Sequence, residues 1–94
     1  MPIPFERGVS VPSGILLQEL DGESVFLNLN NGKYFGLDEV GTHLWKALTA
    51  ASSIQAAYEG LLRQYDVEAE RLRQDLSDLL DQLVAHGLVE TARP

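Results

Sequence analysis

Apolar and polar residues first alternate along this chain and then recur at helical spacing. Val25, Leu27 and Leu29 are separated by single residues, the period of a half-buried strand. Asn30-Asn31-Gly32 marks a reversal, because Gly32 can take the left-handed backbone of a tight turn. Lys33–Leu37 then returns as the next strand. Two loop lengths compete. A two-residue loop sets Leu27 opposite Gly36 and puts Phe35 and Leu37 on the other face. A three-residue loop with Gly32 as a bulge pairs Leu27 with Phe35 and Val25 with Leu37. It collects five apolar side chains on one face and is the expected register. Upstream, Ile15–Leu20 reads as a strand entering an Asp21-Gly22 hairpin turn. An antiparallel three-stranded meander is therefore expected in the first third.

Beyond Leu37 the period changes to that of helices. Asp38 is placed to cap a first helix, with Glu39 favourable near its positive end. Val40, Leu44, Trp45 and Leu48 form its apolar stripe, and Trp45 is expected in the core. Gly41 costs that helix up to about 1 kcal/mol relative to alanine, which close approach of another backbone would explain. Ser52 and Gln55 match a capping box opening a second helix, with Ile54, Tyr58, Leu61, Leu62 and Tyr65 buried. The third helix, from about Glu68 to His86, carries Leu72, Leu76, Leu79, Leu80, Leu83 and Val84 and ends at Gly87. Leu88 and Val89 can return as a short tail strand. The fold class expected is α+β: a three-stranded antiparallel meander followed by three helices, winged helix-turn-helix-like.

Ninety-four residues support one domain, and an apolar share of 45% allows a modest core without staples. Residues 1–14 hold Pro2, Pro4 and Pro12 and read as a flexible N-terminal arm, 15–90 as the domain and 91–94 as a tail. The absence of cysteine excludes disulfides, thiolate metal sites and cysteine nucleophiles. No apolar run approaches the roughly 20 residues of a membrane span. No basic segment followed by an apolar one opens the chain, so a cytoplasmic protein without membrane association is expected. Fourteen acidic residues against seven basic ones give a net charge of −7, which repels nucleic-acid phosphates and favours basic partners.

Catalytic chemistry finds little support. His43 lies between Thr42 and Leu44 on a face expected to be solvated, and His86 is better explained as a cation at a helix C-terminus. Asp75, Asp78 and Asp81 share one edge of the third helix without identifiable converging ligands, so no metal or cofactor is expected. A DNA-reading role is weighed on the same helix, since winged helix-turn-helix proteins insert such a helix into the major groove. It carries five acids, Glu68, Glu70, Asp75, Asp78 and Asp81, against Arg71 and Arg73. A small DNA-binding regulator would need Arg7, Lys33, Arg63, Arg71 and Arg73 gathered on one side. The last meander strand offers another use. Lying at the sheet edge beside an apolar helix, it can accept a peptide as an added strand.

Leu27-Asn28-Leu29-Asn30, then Gly32-Lys33-Tyr34-Phe35-Gly36-Leu37-Asp38-Glu39-Val40-Gly41-Thr42 and Trp45, resembles the signature of the PqqD-like proteins. Tyr65-Asp66-Val67, Asp75-Leu76, Leu79, Leu83 and Gly87-Leu88-Val89 are similar to that family's C-terminal half. The version here most resembles the free-standing leader-binding proteins of lasso-peptide biosynthesis. The resemblance implies a non-catalytic RiPP recognition element (for ribosomally made, post-translationally modified peptides). Such a domain binds the precursor's leader peptide against its third strand, beside its third helix. Carried to this chain, the augmented edge is Lys33, Tyr34, Phe35, Gly36 and Leu37. The groove wall draws on Leu72, Arg73, Leu76, Leu79, Leu80 and Leu83, and Asp75 and Asp78 meet basic leader residues. The implied partners are the precursor leader, a separate transglutaminase-like leader peptidase and a macrolactam-forming cyclase. A PqqD-like chaperone serving another modified-peptide pathway is the neighbouring alternative.

Overall fold

The computed structural model describes residues 3–92; Met1, Pro2, Arg93 and Pro94, at the ends of the expected arm and tail, lie outside the described residues. The elements run β1 (Gly8–Ser10), β2 (Ile15–Leu20), β3 (Glu23–Asn28), β4 (Tyr34–Leu37), α1 (Glu39–Ala50), α2 (Ile54–Gln64), α3 (Ala69–Ala85) and β5 (Glu90–Ala92). The expected α+β architecture is present, with β2-β3-β4 as the antiparallel meander and β1-β5 as an additional two-stranded ribbon.

The hairpin register differs from the expected one by a residue. Phe26 lies opposite Phe35, Leu27 opposite Tyr34, Val25 opposite Gly36 and Ser24 opposite Leu37. The loop therefore holds four residues, Leu29 to Gly32, closed by Gly32 N–H donating to Asn28 O at 2.8 Å, and Gly32 takes φ +73. The shift exchanges the faces. Phe26 is fully buried, whereas Val25 and Leu29 are exposed. Phe26 wins because it stacks edge-on against Trp45 with ring centroids 5.2 Å apart, and burying two aromatic rings outweighs burying aliphatic ones. Beside them Ser24 and Thr42, both buried, share a 2.7 Å hydroxyl hydrogen bond that ties β3 to α1.

The Asp38 cap forms as expected, its carboxylate accepting from Gly41 N–H at 2.8 Å. A Cβ on Gly41 would touch Asp38 and Leu37 side chains at 3.4 Å, so those side chains are the neighbours rather than another backbone. Val40 is exposed, leaving Leu44, Trp45 and Leu48 as the core stripe. The cap of α2 is Ser53, accepting from Ala56 N–H at 3.0 Å, one residue after the expected Ser52. Gly87, at φ +70, ends α3: its N–H bonds Val84 O at 3.0 Å, and Leu88 N–H bonds Leu83 O at 2.9 Å. Those paired bonds satisfy two of the orphan carbonyls of the last turn.

The expected loose arm is a packed segment over much of its length. Phe5 is buried, meeting the Tyr58 ring edge-on at 5.9 Å, with the Arg73 guanidinium 4.2 Å above its own ring. Phe5 O and Arg7 O accept from Gln55 N–H and Ile54 N–H at 2.7 and 2.8 Å, satisfying donors at the start of α2 that have no intrahelical partner. Gly8–Ser10 pairs with Glu90–Ala92, so the strand near the C-terminus begins after Leu88 and Val89, which are core residues. Prolines prevented helix here without preventing packing.

Candidate functional site

The order β2-β3-β4 leaves the outer side of β4 without a partner among the described residues. The ladder settles which backbone groups it offers. Asn28 N–H donates to Lys33 O at 2.8 Å, and bonded pairs alternate along an antiparallel ladder. Phe35 and Leu37 thus bond β3, whereas Tyr34 and Gly36 direct their N–H and C=O groups outward. Their side-chain positions face away from the helices. Tyr34 is 77% exposed, and a Cβ on Gly36 would meet nothing within 4 Å. No proline, bulge or inward charge blunts this edge.

Helix α3 supplies the neighbouring wall. Leu72, Leu76, Leu80 and Leu83 point into the core, while Asp75, Leu79, Gln82 and His86 follow at spacings of four, three and four along one flank. His86 fixes where that flank lies, because its ring meets the Phe35 ring at 4.9 Å, next to β4. Its Nδ1 also lies 2.8 Å from Gln82 O, in the last turn of α3. α1 is the helix whose backbone approaches β3 and β4 closely. We refer to the space between the α3 flank and the β4 edge as the channel.

Beyond Asp75, on the side of α3 towards α1 and α2, lies an apolar cavity of about 250 Å3 lined by Val40, His43, Leu44, Leu61, Tyr65, Val67, Leu72 and Asp75. The His43 and Tyr65 rings stand at its rim with centroids 6.5 Å apart. A smaller recess between Asn28, Lys33, Phe35, His86 and Leu88 lies between the start of β4 and the end of α3. No group of three or more His, Cys, Asp or Glu among the described residues is arranged to hold a metal. The channel offers backbone hydrogen bonds, apolar recesses and a carboxylate at one mouth, which is chemistry for holding an extended peptide.

The residues singled out from the sequence divide unevenly over this geometry. Tyr34 and Gly36 present the edge; Lys33, in the turn, donates its N–H to Asn31 Oδ1 at 2.9 Å. Phe35 is half-buried under the channel and Leu37 is core. Leu72 and Asp75 line the cavity, but Leu79, though on the channel flank, is buried in the core cluster, and Leu76, Leu80 and Leu83 have no exposed surface and form core rather than wall. Arg73 is on the opposite flank of α3, stacked on Phe5. Asp78 is exposed and accepts from Gln74 Nε2 at 2.7 Å within the helix. Val40, His43, Tyr65, Val67, Gln82 and His86 were missed. The spacing of His86 from Asp75 and Leu79 was a usable signal; nothing local placed Tyr65 and Val67 beside α1.

Four of the five basic residues that a DNA surface would need are placed by their contacts. Arg7 donates to Thr91 Oγ1 at 3.4 Å, Arg73 covers Phe5, Arg63 lies beside the α1–α2 crevice and Lys33 stands at the start of β4.

Comparison with known proteins agrees with the resemblance read from the hairpin and α3. The family described as coenzyme PQQ synthesis protein D (PqqD) matches residues 23–89. Among solved structures, TbiB1 in complex with the TbiA(beta) leader peptide superposes with TM-score 0.76 at 30% identity, covering 85% of this chain and 93% of that one. A lasso peptide synthetase B1 complexed with the leader peptide gives TM-score 0.77 at 21% identity, covering 87% and 96%, a likeness of fold. No curated protein matches the chain. With residues 23–89 inside the family's span and a 30% identical relative that covers 85% of the chain, the chain belongs to the PqqD family.

Proposed function

We propose that this protein is a non-catalytic adaptor that captures the leader segment of a ribosomally made precursor peptide. The leader adds as a strand to β4, bonding Tyr34 and Gly36, with its inward side chains over Phe35 and Leu79. An apolar leader side chain fills the cavity at Leu72, and a basic residue meets Asp75. The observation that carries the reading is the unprotected β4 edge facing an α3 flank that ends in an apolar cavity. Kinship with a protein solved bound to a leader peptide supports the same occupant.

In this reading the adaptor works in the cytoplasm and delivers the precursor to a separate transglutaminase-like leader peptidase in lasso-peptide maturation. A macrolactam-forming cyclase acts next. The protein supplies no reactive group; its contribution is a raised local concentration of the substrate at the enzyme. Service to another modified-peptide pathway would use the same channel with a different leader.

An amide NMR titration with the leader half of the precursor tests the binding mode. Large shifts confined to 33–37, the α3 flank from Leu72 to His86 and the cavity residues His43 and Val67 are expected. Absence of shifts with leader, together with salt-sensitive shifts on adding duplex DNA, would overturn the adaptor in favour of a regulator.

A further inference from the structure

The helices cover one face of the meander and leave the other open, and apart from Gln18, between Leu16 and Leu20, and Glu23, opposite Leu20, that open face is apolar. Leu16 pairs across to Leu27, and Leu27 to Tyr34, making one cross-strand row that ends at the β4 edge. Val25, opposite Gly36, and Leu20 continue the patch. Leu16, Leu20, Val25 and Tyr34 are 50, 71, 42 and 77% exposed. Side chains so aligned stand about 5 Å apart and behave as one surface. Apolar patches of that kind on small proteins mark interaction sites.

We propose that this outer face is a docking surface for a protein partner with an apolar patch rimmed by basic groups, and that the bound peptide completes it. The inference rests on the strand-addition reading above. A strand added beside Tyr34 and Gly36 extends both cross-strand rows by one position, because its alternate side chains emerge on the outer face. The partner then touches the adaptor and the peptide together and binds the loaded adaptor more tightly than the empty one.

Charge selects the occupant. Asp21 and Glu23 flank the patch at the β2–β3 turn, and neither has an ion-pair partner among the described residues, where the pair found is Lys46–Glu19 at 2.7 Å. A second copy would bring the same two acids and a further charge of −7 to the interface, which like-charge repulsion opposes. A basic-rimmed partner answers both features. The enzyme that must act on the captured peptide is the protein required to meet it there.

The test uses the full chain with its pathway's leader peptidase as probe, measured by biolayer interferometry with and without saturating leader. Leu16→Glu and Leu20→Glu alter exposed positions that lie outside the peptide channel. Leu16→Gln and Leu20→Gln serve as milder partners, and circular dichroism checks each fold. Wild type is expected to bind the peptidase more tightly when loaded. The glutamate variants should bind it about tenfold or more weakly, in the range of an interface hot spot, with leader affinity unchanged within about twofold. Leader binding lost in wild type would sink the adaptor reading itself. Leader binding retained with unaltered peptidase affinity in the variants would overturn only the docking face. A wild-type dimer in sedimentation, dissolved by the same variants, would reassign the face to a second copy.

Discussion

Among the described residues Ser24 and Thr42 are the two buried polar ones, set in an apolar core. Each hydroxyl satisfies the other at 2.7 Å, so neither is left dry and unpaired. Thr42→Val keeps the shape of the side chain and removes the partner. It is expected to cost about 1–3 kcal/mol through the stranded Ser24 hydroxyl, read as a lower midpoint in urea unfolding. Adding Ser24→Ala should recover part of the loss, which a packing defect would not. The same residue-scale view separates wall from core on α3. Leu76, Leu79, Leu80 and Leu83 are buried in the core, so substituting them tests folding, whereas the exposed Asp75 reports on the channel.

At the scale of elements, β4 is a four-residue strand bonded on one side only. Because Gly36 directs its N–H outward, proline there removes a donor that β3 does not use, a position where an edge strand tolerates it. Gly36→Pro is expected to leave the circular dichroism spectrum and unfolding midpoint near wild type. Leader affinity should fall by about tenfold or more, one backbone bond and the close approach of the added strand being lost together. Unchanged affinity in calorimetric titration would place the peptide elsewhere. Proline at Phe35, which faces β3, should damage the fold instead.

For the whole molecule, the segment from Ile3 to Ser10 closes the domain. Phe5 joins Tyr58 and Arg73 on the flank of α3 away from the channel, and β1 holds β5. Phe5→Ala is expected to destabilise by about 3–5 kcal/mol, as for other buried phenylalanines. In a domain of this size that is a large share of the total. Leader affinity of the remaining folded protein should hold, because the two flanks of α3 serve separate purposes. A thermal melt with a parallel titration distinguishes this from an arm that takes part in binding.

The meander and the three helices were legible in the chain, whereas the β1–β5 ribbon was not. The change of period at Asp38, the left-handed positions at Gly32 and Gly87, the leucine spacing of α3 and the family resemblance of the hairpin all act over a few residues. Local sterics and hydrogen bonding fix such features wherever the segment finally lies. Which face of β3 turned inward was decided only when Phe26 met Trp45, a partner 19 positions away. The alternation of Val25, Leu27 and Leu29 was real but described the outer face. The arm looked loose because its prolines forbid regular structure, yet Phe5 found a ring and α2 found carbonyls there. The channel's edge and its acidic helix could be named in advance. Its cavity could not, because Val40, Tyr65, Val67 and Leu72 belong to separate segments that only tertiary packing brings to one place.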